Sequence, residues 1–241
     1  MELQHLPRNN NSDLPLFRTF LQAFLAGSVL TLLAHILLVV LFLCFRIVPA
    51  IDHLRGPGAL PQNFPSGTFL PLERFPGDLR RAVLALEDPG FYSHWGVDPL
   101  AVRHAIKLNL SEQYPTYGGS SINQQLARTL FLNTEKSLTR KSLEIGTALI
   151  LEHSLSKHRI LELYMNTVPL GPGIYGFSDA ARHYMHAKVI SLSDDQKISL
   201  LAVMPSPILY TPETYQDNPA LAERARAAKR FFSNWHGKPR K

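Results

Sequence analysis

The chain has 241 residues, 45% of them hydrophobic, and a formal net charge of +6. That length fits one domain of ordinary size plus an extra segment. Cys44 is the single cysteine, which excludes an intramolecular disulfide framework and a zinc cluster built on cysteines. The positive charge suits an anionic partner: phospholipid head groups, a phosphate-bearing substrate or nucleic acid. No zinc finger, aromatic-interleaved basic strand or helix-turn-helix pattern appears, so no nucleic-acid partner is expected.

Met1 to Thr19 is polar and rich in Asn, and reads as a disordered tail. Phe20 to Phe45 holds no Asp, Glu, Lys or Arg over 26 residues. As a helix that run is roughly 39 Å long, more than the hydrocarbon core of about 30 Å, so a transmembrane helix is predicted. Gln22 and His35 are its notably polar groups. A removable signal peptide fits less well, because the run is long and no small-x-small site follows it. Arg8 and Arg18 before the span balance Arg46 and Arg55 after it, so flanking charge gives no orientation. Pro49 to Pro76 contains six prolines and reads as a linker or irregular entry segment.

Asp78 to Leu86 follows as a helix with apolar Leu79, Val83, Leu84 and Leu86. Pro89 pushes Asp88 out of helical geometry, which leaves Glu87 at the helix C-terminus. Glu87 to Asp98 then packs three carboxylates, His94 and the rings of Phe91, Tyr92 and Trp95 into twelve residues. The carbonyl end of a helix and nearby rings both raise a carboxyl pKa, as a general base near neutral pH requires. A solvated Glu-Asp pair closing a surface helix fits this stretch equally well.

Leu100 to Leu110 is predicted as a short basic helix with Arg103, His104 and Lys107. Gly118-Gly119-Ser120-Ser121 leads into another helix, with Gln124 three residues after Ser121 as a capping box. Free N–H groups beside the glycines would cradle an anion. Arg128 lies one turn along, on the face that carries Gln124 and Gln125. An ordinary capped amphipathic helix also accounts for this stretch. Thr139 is the expected cap of a helix to about His153. There Arg140, Lys141 and Glu144 form a trio at helical spacing, which suits a pyrophosphate held directly or through a metal, or a surface salt bridge. From Ile145 to Leu151 the helix is apolar almost all round, which implies burial. Further helices are expected from Ser156 to about Asn166, from Phe177 to His186, from Ser193 to Met204 and after Asn218-Pro219. The last carries Arg224, Arg226, Lys229 and Arg230. The soluble part should be mostly α.

Three segments line up in one order: Glu87-Asp88-x-x-Phe91-x-x-His94-x-Gly96-x-Asp98; Gly118-Gly119-Ser120-Ser121-Ile122-x-Gln124-Gln125-Leu126; and Arg140-Lys141-x-x-Glu144 followed by Ser156-Lys157-x-x-Ile160-Leu161-Glu162-x-Tyr164-x-Asn166. Together they closely resemble family 51 glycosyltransferases, which polymerise peptidoglycan strands in bacterial walls. With the chain closing at Lys241, the resemblance implies a monofunctional member without a transpeptidase domain. It implies a bilobal, lysozyme-like α fold at residues 77–235, behind a single transmembrane helix at 20–45 and an entry segment at 46–76. The short tails are 1–19, cytoplasmic, and 236–241. The site would face the outer side of the cytoplasmic (inner) membrane.

The resemblance also assigns roles. Glu87 matches the catalytic base, and Glu144 the second glutamate, acting through pyrophosphate or a divalent metal, Mg2+ or Mn2+. Asp88, Phe91 and His94 match residues shaping the first site. Ser120, Gln125, Arg128 and Lys141 match the substrate-binding set, to which Gln124 and Arg140 are added as their neighbours. Ser121 and Asn123 stand where the family usually has Thr, and Arg128 where it has Lys. The implied partners are lipid II, the undecaprenyl-pyrophosphate strand and membrane lipids, with transpeptidases and cell-division proteins. Two glutamates alone would also suit a lysozyme-like wall-cleaving enzyme, and a membrane-anchored scaffold without catalysis is a third reading.

Overall fold

The structure, a computed structural model, describes residues 13–56, 58–61, 64, 67–103, 119–132 and 137–236. His104, Lys107 and Gly118 lie outside the described residues. The chain divides after Phe42 into two units. The described residues of the first form one helix, α1 (Asp13–Phe42). It begins seven residues before the expected span and takes in part of the stretch read as a disordered tail. Its large apolar side chains are exposed, Phe20, Phe24, Leu30 and Leu38 among them. Ser28 and Thr31 donate to the carbonyls of Phe24 and Gly27, each at 2.9 Å, so these hydroxyls need no outside partner. Among the described residues this is the one helix long and apolar enough to cross a membrane.

The second unit opens on a π-helical turn (Leu43–Ile47) and α2 (Val48–Asp52). The sequence suggests irregular chain from Pro49. Pro49 instead sits in the first turn of α2, where its missing N–H costs nothing. Ile47, Ile51 and Leu54 are buried. The segment that follows is tied down by side chains from α6 (Lys157–Thr167). Arg159 donates to the carbonyls of Leu54 and Ala59, both at 2.8 Å. Asn166 exchanges two hydrogen bonds with the backbone of Leu70, and Glu162 accepts from Leu72 N at 3.1 Å. Backbone groups that no helix or sheet satisfies are thus satisfied by one helix.

That helix lies at the centre of the mostly α domain, with Arg159 to Thr167 all buried. It packs directly against α4 (Ile122–Phe131) and against α7 (Gly176–Met185), which also meets the small hairpin of β1 (Pro169–Gly171) and β2 (Ile174–Tyr175). α3 (Gly77–Glu87) and α8 (Asp194–Val203) both meet α9 (Pro219–His236) or its neighbours. Leu221, Ala225, Ala228 and Phe232 form the buried stripe of α9 at helical spacing. Lys197 pairs with Asp78 at 2.7 Å, which ties α8 to α3, and Arg81 lies 4.2 Å over the Trp235 ring, which fastens α9 to α3.

α5 (Leu138–Ser154) departs from expectation twice. Its cap is Ser137, whose hydroxyl accepts from Arg140 N at 3.0 Å, and Thr139 lies inside the first turn. It is also one-sided: Ile145 is 38% exposed and Leu149 47%, while Thr147, Ala148 and Leu151 are buried. An apolar run names the residues able to be buried, but the packing partner decides which of them are.

Candidate active site

The site begins where Pro89 ends α3. Asp88 leaves helical geometry at φ −159° and ψ 75°, so Glu87 is the last helical residue. Its carboxylate is held on both oxygens. Gln125 Nε2 donates to Oε2 at 2.8 Å, and Arg224 Nη2 donates to Oε1. Arg224 is itself fixed by its Nε, which donates to Leu201 O at 2.8 Å. The Glu87 side chain stays 12% exposed. Gln125 is held in turn by Tyr164, whose hydroxyl donates to Oε1 at 2.8 Å. Burial, and then the Glu87 charge, pushes the Tyr164 phenol well above its ordinary value of 10.0.

Asp88, Phe91 and His94 are low in exposure. Asp88 and Phe91 are buried, and His94 is nearly so. Asp88 accepts from His94 Nε2 at 2.9 Å and from Ile122 N, the first residue of α4, at 2.9 Å. A carboxylate on a helix N-terminus is doubly favoured, by the free N–H and by the helix dipole. Lys157 lies 4.7 Å over the Phe91 ring, donates to His94 O and pairs with Glu152 at 2.8 Å. These three expected substrate ligands therefore support the site from behind. Gly96, at φ +79°, lets the loop touch α5: a Cβ there would lie 2.7 Å from Ala148 O. Ser121 Oγ donates to Gly96 O at 2.6 Å. Asn123 is explained too. Its amide reaches Glu152 at 3.0 Å and Ala148 O at 3.4 Å, binding α4 to α5.

The cationic end lies on α5. Lys141 and Arg140 both bind Glu144, one on each oxygen. Glu144 is 1% exposed, Arg140 15% and Lys141 40%. Lys141 Nζ also donates to Ser120 Oγ at 3.0 Å, and Ser120 O accepts from Gln125 Nε2 at 3.4 Å. The path Glu87–Gln125–Ser120–Lys141–Glu144 is thus continuous. Arg128, half-buried on α4, has no ion-pair partner among the described residues. Gln124 serves the helix start. It is buried, and its Oε1 closes the capping box on Ser121 N at 3.1 Å.

The donor set does not fit a Mg2+ or Mn2+ ion held by protein ligands. Both Glu144 oxygens are taken by cations, and no group of three His, Cys, Asp or Glu gathers among the described residues. Such ions want several oxygens around them.

The family model described as Transglycosylase matches residues 60–231. The chain belongs to the transglycosylase family. A biosynthetic peptidoglycan transglycosylase of Nitrosomonas eutropha is 40% identical over 174 residues, 72% of this chain and 69% of that one. One of Alcanivorax borkumensis is 47% identical over 132 residues, 55% of this chain; the match spans 54% of that relative. A penicillin-binding protein 1A of Neisseria lactamica is 39% identical over 166 residues, 69% of this chain but 20% of its own length.

In this transglycosylase the sequence reading missed two residues that bind the Glu87 cluster, Arg224 and Tyr164. Arg224 was legible only as one of four cations on the last helix, and Tyr164 only as a position of the third segment, with no role given to it. Arg224 stands next to Ala225 in the buried stripe of α9, and that is the one local sign that its side chain turns inward.

Proposed function

We propose that the chain is a peptidoglycan glycosyltransferase that polymerises lipid II, with Glu87 as general base. Glu87 takes the proton from the 4-hydroxyl of the acceptor's N-acetylglucosamine. That oxygen attacks C1 of the donor's N-acetylmuramic acid from the face opposite the leaving group. The C1–O bond to undecaprenyl pyrophosphate breaks, and configuration inverts. Glu87 then returns its proton to water. The departing diphosphate is met by Arg128 and Lys141, whose charge stands in for protonation of the leaving oxygen. Glu144 touches no substrate in this scheme; it holds Arg140 and Lys141 in place.

The observation that carries the reading is the hydrogen-bonded path from Glu87 to the Lys141–Glu144 pair. It joins a proton acceptor to a diphosphate-sized group of cations. A wall-cleaving hydrolase would need its second carboxylate free to protonate a sugar oxygen, and Glu144 is sealed between two cations. In the proposed setting α1 crosses the cytoplasmic membrane once, the domain lies outside, and transpeptidases and cell-division proteins work on the product. Labelled lipid II in detergent tests the activity: the parent protein should give a ladder of glycan strands. No ladder, or shortening of isolated sacculi, would overturn the proposal.

A further inference from the structure

We infer that Tyr164 is a positioning residue for the base: its hydroxyl dictates which end of the Gln125 amide meets Glu87. The inference rests on the glycosyltransferase reading above and adds a residue to it. A glutamine amide can present either its oxygen or its nitrogen, and its surroundings choose. Here the choice has a consequence. With nitrogen forward, Gln125 donates to Glu87 Oε2 at 2.8 Å and favours the carboxylate. With oxygen forward, the two oxygens meet comfortably only if Glu87 is protonated.

Tyr164 removes the second option by donating to Gln125 Oε1 at 2.8 Å. Three features make it a dependable donor. It is buried in the all-buried stretch of α6, so its hydroxyl does not wander. Gln125 is its one hydrogen-bond partner among the described residues. Its phenol is held in the protonated form well above 10.0. The charged groups facing the pair are Arg224 from α9, Arg128 from α4 and Asp88, which binds His94. None of these hydrogen-bonds the Gln125 amide among the described residues. The same amide nitrogen also reaches Ser120 O, so Tyr164 sets the link toward the cations as well.

The test uses the full chain in detergent, with kcat and KM for labelled lipid II followed against pH. In Tyr164→Phe the acid limb of kcat should move up by about half to one pH unit, and kcat should fall about 3- to 10-fold. KM should stay within about twofold. Gln125→Ala should shift the limb at least as far, and adding Tyr164→Phe to it should shift it no further. An unmoved limb with a lower Tm would reduce Tyr164 to core packing. Additive shifts in the double variant would show that it acts without Gln125. Either result overturns the inference, whereas a parent protein that makes no strands overturns the glycosyltransferase reading instead. Should Tyr164→Phe fail to fold, tyrosine absorbance decides: Gln125→Glu should red-shift it relative to Gln125→Ala, and equal spectra would sink the inference.

Discussion

Glu87 and Glu144 are both glutamates in the second unit, both low in exposure and both bound to arginine, yet their settings differ. Glu144 spends one oxygen on Arg140 and the other on Lys141 and is 1% exposed. Glu87 has a single cation, Arg224, opposite a neutral amide, and keeps 12% of its side chain open. One carboxylate is built into the wall as the counter-charge of two cations. The other is oriented yet within reach of an incoming hydroxyl. Counting carboxylates in the sequence cannot separate those two jobs; counting their partners can.

The largest test of this contrast is Glu87→Gln. Polymerisation should fall about 10²- to 10⁴-fold, the usual worth of a general base, with a modest fall in Tm, since the amide keeps one acceptor oxygen where the carboxylate offers two, one to Gln125 and one to Arg224. Glu144→Gln should break the pattern. We expect about 10- to 100-fold loss of kcat/KM and, in thermal melting, destabilisation on the order of 2 kcal/mol. That is below the value for a fully buried pair, because both cations are partly solvated. If Glu144→Gln left Tm untouched, its role as wall would be wrong. Arg224→Lys comes next. Lysine keeps the charge but cannot bridge Leu201 O and Glu87 together, so about 3- to 10-fold loss of kcat is expected in the same lipid II assay.

These effects concern residues of very different legibility. Ser121 with Gln124, Ser156, and Ser193 with Gln196 announced their helix starts, and Pro89 announced where α3 stops. Caps and breaks are made by residues within four positions of each other, so a sequence displays them. Gln124 is read correctly as a cap, and its Oε1 closes it on Ser121 N. The same local logic named Thr139 as a cap where Ser137, two positions earlier and with an extended backbone, is the cap. Arg224 meets Glu87 across 137 positions, a contact set by how α9 docks on α3 and α8, and nothing near either residue records it.

Two smaller effects complete the set. Tyr164 keeps its proton in the folded state to higher pH than in the unfolded chain, where tyrosine titrates near 10.0. Its stabilising contribution is therefore whole below pH 10 and declines as pH rises above it, by at most about 1.4 kcal/mol per pH unit. Tyr164→Phe should flatten that alkaline decline in denaturant melts at pH 9 to 11. Chelation should do least: with no protein cage for a divalent ion among the described residues, adding EDTA should move Tm by less than about 1 °C.

Gly96 carries a consequence beyond its own turn. A single added methyl would strike Ala148 O, and the carbonyl of Gly96 is the seat of the Ser121 hydroxyl. Pushing the loop away would unseat Ser121, the cap of the helix that brings Gln125 to Glu87. The hold on the Glu87 carboxylate thus depends on a position that has no side chain of its own.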